Sequence, residues 1–166
     1  MLDFTRKARY GFDDLVRLVA LLRAPGGCPW DGVQTHQSIR RNFLEEAYEA
    51  CEGFDRDDAA LMREELGDVL LQVVFHADIE RAAGRFTVDD VCDGVCKKLI
   101  FRHPALFSDE EAPDWETLKR REKGQKTTSE AMDGVAKSLP ALWRAEKLRK
   151  KAGELPDEGS DEARLG

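Results

Sequence analysis

Basic residues are too few in this chain to outweigh the acidic ones. Lys and Arg number 26 against 33 Asp and Glu, a formal charge of −7. A nucleic-acid backbone or an anionic lipid surface would be repelled on average, so neither is expected as a partner. A small phosphorylated ligand remains open, because it needs only local cations or a bound metal. Long apolar runs are missing too. The start, MLDFTRKARYGFDD, has no apolar core fit for a signal peptide, and the nearby LVRLVALL is broken by Arg17. Nothing approaches the length of a membrane span.

Cysteine and histidine are sparse, and their placement excludes several metal sites. Cys28, Cys51, Cys92 and Cys96 form no Cys-x-x-Cys pair. Cys92 and Cys96 stand one helical turn apart without a His nearby to complete a zinc site. Reduced, partly buried thiols in a cytoplasmic protein are the expectation. His36, His76 and His103 follow Val33, Val73 and Ile100 at the third position, so the Glu-x-x-His pairs of a di-iron bundle are absent. No glycine-centred loop of alternating Asp and Asn suggests an EF-hand. No convincing strand and no internal repeat is legible.

What is there is helix, with 42% apolar residues to build a core from 166 residues. Leu15, Val16, Leu18, Val19 and Leu22 share a side of a first helix from about Asp13, read as its N-cap, to Arg23. The prolines and glycines of APGGCPWDG break it. A second helix is expected from Thr35 or Ser38 to Gly53 or Phe54, and a third, capped by DRDD, to about Ala83 before Gly84. TVDD opens a fourth through about Phe101. Residues 108–113, SDEEAP, read as an acidic loop; weaker helices are expected at 114–123 and 138–152. The acidic tail after 152 reads as disordered. The expected class is all-α.

Two stretches carry unusual charge. In FLEEAYEACEGF the glutamates of the second helix suit a solvated face, with only Glu46 near the apolar seam. In REELGDVLLQVVFHADIE, Leu66, Leu70, Val73, Val74 and Ala77 line one face. Glu64, Glu65, Asp68 and Gln72 share the other with Leu61, Leu71 and Phe75. A helix apolar almost all round is normally enclosed, and enclosed carboxylates are costly unless paired or metal-bound. Glu65 and Asp68 stand at i and i+3, and Glu46 and Glu49 repeat that spacing one helix earlier. An antiparallel hairpin turning at FDRDD would bring the pairs together. Their repulsion calls for a hard divalent cation, Mg²⁺ or Mn²⁺ rather than zinc.

EEAYE at 45–49 followed by ELGD at 65–68 resembles the EExxE…ExxD signature of the MazG-type nucleoside triphosphate pyrophosphohydrolases. GGCPWDGVQTHQSIRRNFLEEAYEA, REELGDVLLQVVFHA, GRF, KKLIFRHPALF and SLPALWRAEKLRKKA resemble MazG segments in the same order. The resemblance implies an all-α four-helix-bundle domain over residues 1–152, followed by the tail at 153–166. It also implies Mg²⁺-dependent hydrolysis of NTPs and dNTPs to monophosphate and pyrophosphate, a house-cleaning role, and a homodimer or homotetramer. Glu46, Glu49, Glu65 and Asp68 match the metal ligands. Glu45 and Glu64 match acidic neighbours, candidates to orient or activate the attacking water. Lys98 and Arg102 match the cations that hold the phosphates.

Trp30 in CPWD either stacks on a base or covers the end of the bundle. His76 is expected as a hydrogen-bonded core histidine, and Trp115 and Trp143 as packing or oligomer contacts. Two rival readings stand beside the main one. One is a non-catalytic helical dimerisation or regulatory module; the other is the same fold acting on dCTP, dUTP or phosphoribosyl-ATP.

Overall fold

The structure is a computed structural model that describes residues 2–107, 115–124 and 127–153. The acidic loop at 108–113 and the tail from residue 154 onward lie outside the described residues. The described chain is all-α, as expected. Its helices are α1 (Phe12–Arg23), α2 (Pro29–Gly32), α3 (His36–Asp55), α4 (Ala59–Ala82), α5 (Val88–Arg102), α6 (Pro104–Phe107), α7 (Trp115–Glu122), α8 (Thr128–Asp133) and α9 (Ala141–Gly153). The chain divides into two compact units, one ending at Gly94 and the other starting at Val95, so α5 contributes to both.

In the first unit α3 and α4 form an antiparallel hairpin, α1 packs on α4, and α2 packs on α1. Thr35 caps α3 by accepting from the Ser38 backbone N–H, while the Ser38 hydroxyl accepts from the Thr35 N–H. The turn between the helices is three residues long: Asp57 adopts the left-handed region at φ 53°, and Asp58 caps α4 by accepting from the Ala60 and Leu61 N–H groups. Gly53 is buried where α3 meets α4; a Cβ there would lie 3.1 Å from the Met62 nitrogen. The core gathers Val19, Ile39, Val74, Phe75, Ala77 and Val88, with Leu15, Val16, Leu71 and Ile79 packed against it. In the second unit α8 packs on α9, and Leu118, Ala131 and Val135 are buried.

Several expectations need correction. Of the face assigned inward on α4, Leu66 and Leu70 are 49% and 40% exposed while Val74 and Ala77 are buried; from the other side Glu65 and Phe75 are buried as well. The C-terminal half of α4 is enclosed from both sides, with Val74, Phe75 and Ala77 in the core and Leu71 packed against it, whereas the half that carries Leu66 and Leu70 leaves one side open. The N-cap of α1 is Gly11 rather than Asp13; its N–H donates to the Asp14 carboxylate at 3.0 Å. Cys51, Cys92 and Cys96 are exposed and only Cys28 is partly buried. APGGCPWDG does break α1, but it includes a single helical turn, α2, that starts with Pro29 at a position where a missing N–H costs nothing.

Candidate functional site

Both arms of the hairpin aim carboxylates at one another. Glu46, Glu49 and Glu65 each place one carboxylate oxygen within 4.8 Å of the other two. Glu65 is 9% exposed, Glu46 is half-buried and Glu49 open to solvent. Burial pushes the Glu46 carboxyl above its ordinary range, and the negative charges of Asp68, Glu49 and Glu45 add to the effect. Glu65 is raised in the same way, first by burial and then by Glu49, Asp68, Glu64 and Glu46. Asp68 therefore stands in the field of both, although its oxygens are outside the tight group of three. The arrangement is electrostatically unfavourable as it stands, and oxygen-only donors of this kind suit a hard divalent cation.

The flanking glutamates are exposed, and Glu45 accepts from Arg41 Nε at 2.8 Å across one helical turn. Lys98 and Arg102 belong to the second unit. There Arg102 donates from Nε to Glu122 at 2.5 Å, and its guanidinium lies 5.5 Å from the centre of the Trp115 ring. Trp115 also meets the His103 ring, and Trp143 is exposed.

Beside the carboxylates, toward the start of α3 and the middle of α4, lies a cavity of about 160 Å³. Its walls include Val19, Leu22, Ile39, Phe75, Asn42, Gln72 and Trp30. Asn42 precedes Glu46, and Gln72 follows Asp68, by one helical turn each. Arg23 braces the α2 segment here. Its Nη1 donates to the Asp31 carbonyl at 2.7 Å and its Nε to Asp78 at 2.8 Å, both side chains being almost fully buried. The guanidinium also rests 4.6 Å from the centre of the Phe75 ring.

A polar network closes the far end of the hairpin. His36 and His76 bring their Nδ1 atoms to 2.7 Å with rings nearly parallel, so one ring donates to the other. Burial and the neighbouring His36 lower the pKa of His76, which is thus the hydrogen-bonded, partly buried histidine expected. His36 Nε2 reaches Glu80, which also accepts from Arg85, Nη2 at 2.7 Å. Arg23, Asp78, Glu80 and Arg85 carry no local signal that marks them out in the sequence. Their partners lie as far as 55 positions apart, beyond any periodicity.

Fold and site together define a class: an all-α chain whose central helical hairpin gathers three carboxylates into one cluster. Residues 34–107 match the model of the MazG nucleotide pyrophosphohydrolase domain, so this segment is similar to that family. It is 43% identical over 147 residues to the nucleoside triphosphate pyrophosphohydrolase/pyrophosphatase MazG of Thermotoga maritima, covering 87% of this chain and 57% of the relative. It is 40% identical over 162 residues to the nucleoside triphosphate pyrophosphohydrolase of Escherichia coli strain K12, covering 93% and 60%. With the uncharacterized protein YabN of Bacillus subtilis it shares 45% over 146 residues, 84% of this chain and 30% of that one. The chain thus spans between 30% and 60% of the length of these relatives.

Proposed function

We propose that the chain hydrolyses nucleoside triphosphates, ribo or deoxyribo, to the monophosphate and pyrophosphate with Mg²⁺, clearing unwanted nucleotides. The observation that carries this reading is the convergence of Glu46, Glu49 and Glu65 across the hairpin, within the segment that matches the MazG domain. Three hard oxygen donors packed this closely, two of them with raised pKa, fit Mg²⁺, and Mn²⁺ as a substitute. Glu46, Glu49, Glu65 and Asp68 would hold the metal. When bound, it would offset the substrate's charge and acidify water.

The remaining steps fall to the chain's own groups. Glu45 or Glu64, exposed beside the cluster, accepts the proton of the attacking water. The water oxygen bonds to the α-phosphorus as the bridging oxygen to the β-phosphorus departs with pyrophosphate. Lys98 and Arg102 are the proposed cations for the departing unit. Arg102 must exchange Glu122 for phosphate to act so, a swap between two anions of similar geometry. Trp30, at the rim of the cavity, is the proposed contact for the base.

The relatives' matches, running over 84 to 93% of the chain, support one MazG-like domain over 1–152 with 153–166 as an appended acidic tail. A homodimer or homotetramer is proposed from exposed apolar side chains on α3 and α4. The net charge of −7 supports neither nucleic-acid nor membrane partners. No helix among the described residues is long and apolar enough to cross a membrane. The four free cysteines accord with a reducing cytoplasm.

Product analysis by phosphorus NMR with Mg²⁺ and a panel of NTPs and dNTPs tests the reading. Monophosphate and pyrophosphate are expected. Diphosphate with orthophosphate would replace it by another phosphatase chemistry, and no turnover with any nucleotide would leave a non-catalytic helical module. Glu49→Gln or Asp68→Asn should lower the rate about a hundredfold or more.

A further inference from the structure

The rings of His36 and His76 meet end to end. Their planes lie within 13° of each other and their centres 5.0 Å apart, about the widest spacing that an Nδ1–Nδ1 contact of 2.7 Å allows. Each Nδ1 therefore points at the other, and one proton must sit between them. The far side of His36 settles which ring owns it. Nε2 of His36 meets the Glu80 carboxylate, which hydrogen bonds from Arg85 and His36 keep ionised and which can then only accept. His36 thus keeps a proton on Nε2, and in its neutral form offers only a lone pair at Nδ1. The shared proton then belongs to His76 Nδ1, and His76 Nε2 is left bare.

One further proton fits without breaking this chain. It binds His76 Nε2 while the Nδ1 proton of His76 passes to His36 Nδ1, and the charge comes to rest on His36 against Glu80. A second has no such place. With His36 already full, it would set two N–H groups against each other at 2.7 Å between two cationic rings. The surroundings reinforce that limit. The Phe43 ring of α3 lies 5.8 Å from that of His76, and burial together with His36 holds the His76 pKa below its ordinary 6.5. Arg85, just beyond α4, adds positive charge beside Glu80. Asp78 and Arg81, the other charged groups at this end of α4, are paired with each other and with Arg23 of α1; Arg40, one turn along α3, is exposed. We propose that His36 and His76 form a one-proton latch at the open end of the α3–α4 hairpin, closed with one proton or none and forced apart by the second. The latch joins the start of α3 to the end of α4, opposite the turn at 56–58, so opening it frees the two arms there. It needs neither substrate nor metal.

Nitrogen-15 NMR of the three histidines, assigned with the help of His103→Gln, reads the tautomers directly. At about pH 8 His36 should carry its proton on Nε2 and His76 on Nδ1. On acidification the two rings should share one proton first and take the second in a separate, lower step that breaks their contact. Two neutral rings both protonated on Nε2, or a doubly charged pair still in contact, would overturn the latch. Stability gives an independent reading. The unfolded chain protonates at His76 before the folded one does, so stability present above about 6.5 is lost as pH falls. The drop in melting temperature between about pH 6.5 and 5 should be at least about twice as large in the wild type as in His76→Gln. Glu46 and Glu65 titrate in both proteins alike, so the difference belongs to the pair. Equal drops would overturn the latch too. If the variant does not fold, the wild-type tautomers and titration steps decide by themselves.

Discussion

Glu65 is the least exposed of the three carboxylates that meet across the hairpin, and it sits in the field of four other acids. Without a cation this position opposes folding, since the carboxylate is easier to ionise in the unfolded chain. Glu65→Gln should therefore raise the melting temperature of the metal-free protein and shrink the gain on adding Mg²⁺. A thermal melt of both proteins with Mg²⁺ and with chelator reads both effects; a variant that is less stable without metal and keeps the full Mg²⁺ response would count against a cation site. Glu80 works in the opposite sense. Hydrogen bonds from Arg85 and His36 hold its carboxyl down to about 2, from an ordinary 4.5. The unfolded chain takes up that proton first, so the stability Glu80 contributes is complete above about pH 4.5 and is lost as pH falls toward 2. Acid unfolding of Glu80→Gln should show a shallower loss through that window than the wild type, and parallel curves would dismiss the idea. At this scale the acidic residues were legible in the sequence because i, i+3 spacing fixes which carboxylates share a helix face.

At the level of elements, the four long helices could be read from capping residues and glycine or proline stops, because those signals are local. Thr35 and Asp58 cap where expected. The short helices α2, α6 and α8 were missed for physical reasons, whereas α7 falls within the helix expected at 114–123. One turn is too short to show periodicity, and α2 lies in a stretch dominated by breakers. For α8 a signal did exist: Thr127 and Glu130 have capping-box spacing, and the structure shows both reciprocal bonds. The tie between α1 and α4 was beyond local reading. Arg23 and Asp78 make a buried ion pair, with Arg81 as a second partner for the same carboxylate. Removing one member leaves a buried charge uncompensated, so Asp78→Ala should cost about 3–5 kcal/mol in urea unfolding. Replacing both, as Arg23→Met with Asp78→Leu, should cost less than the single change. If the double variant is the weaker protein, the two residues do not act as a pair.

For the whole molecule, the consequential surface is the apolar one that α3 and α4 leave open. Leu44 and Tyr48 are 49% and 58% exposed, and Leu66 and Leu70 are 49% and 40% exposed. Each pair stands at i, i+4 and so shares a face of its helix. These side chains lie on the same two helices that carry Glu46, Glu49, Glu65 and Asp68, so covering them would stiffen the arms that hold the carboxylates. Full burial of a leucine side chain is worth about 1.5–3 kcal/mol, and a self-complementary interface counts each side chain twice, once from each copy. Light scattering at micromolar concentration should thus give at least a dimer. Leu66→Glu with Leu70→Glu should halve the mass, because four carboxylates would face one another across a twofold interface. Loss of the partner should also reduce the Mg²⁺-dependent rise in melting temperature, although neither leucine touches the proposed metal. A wild-type monomer would remove the argument at its base. A double variant that stays dimeric would move the interface to some other surface of the chain.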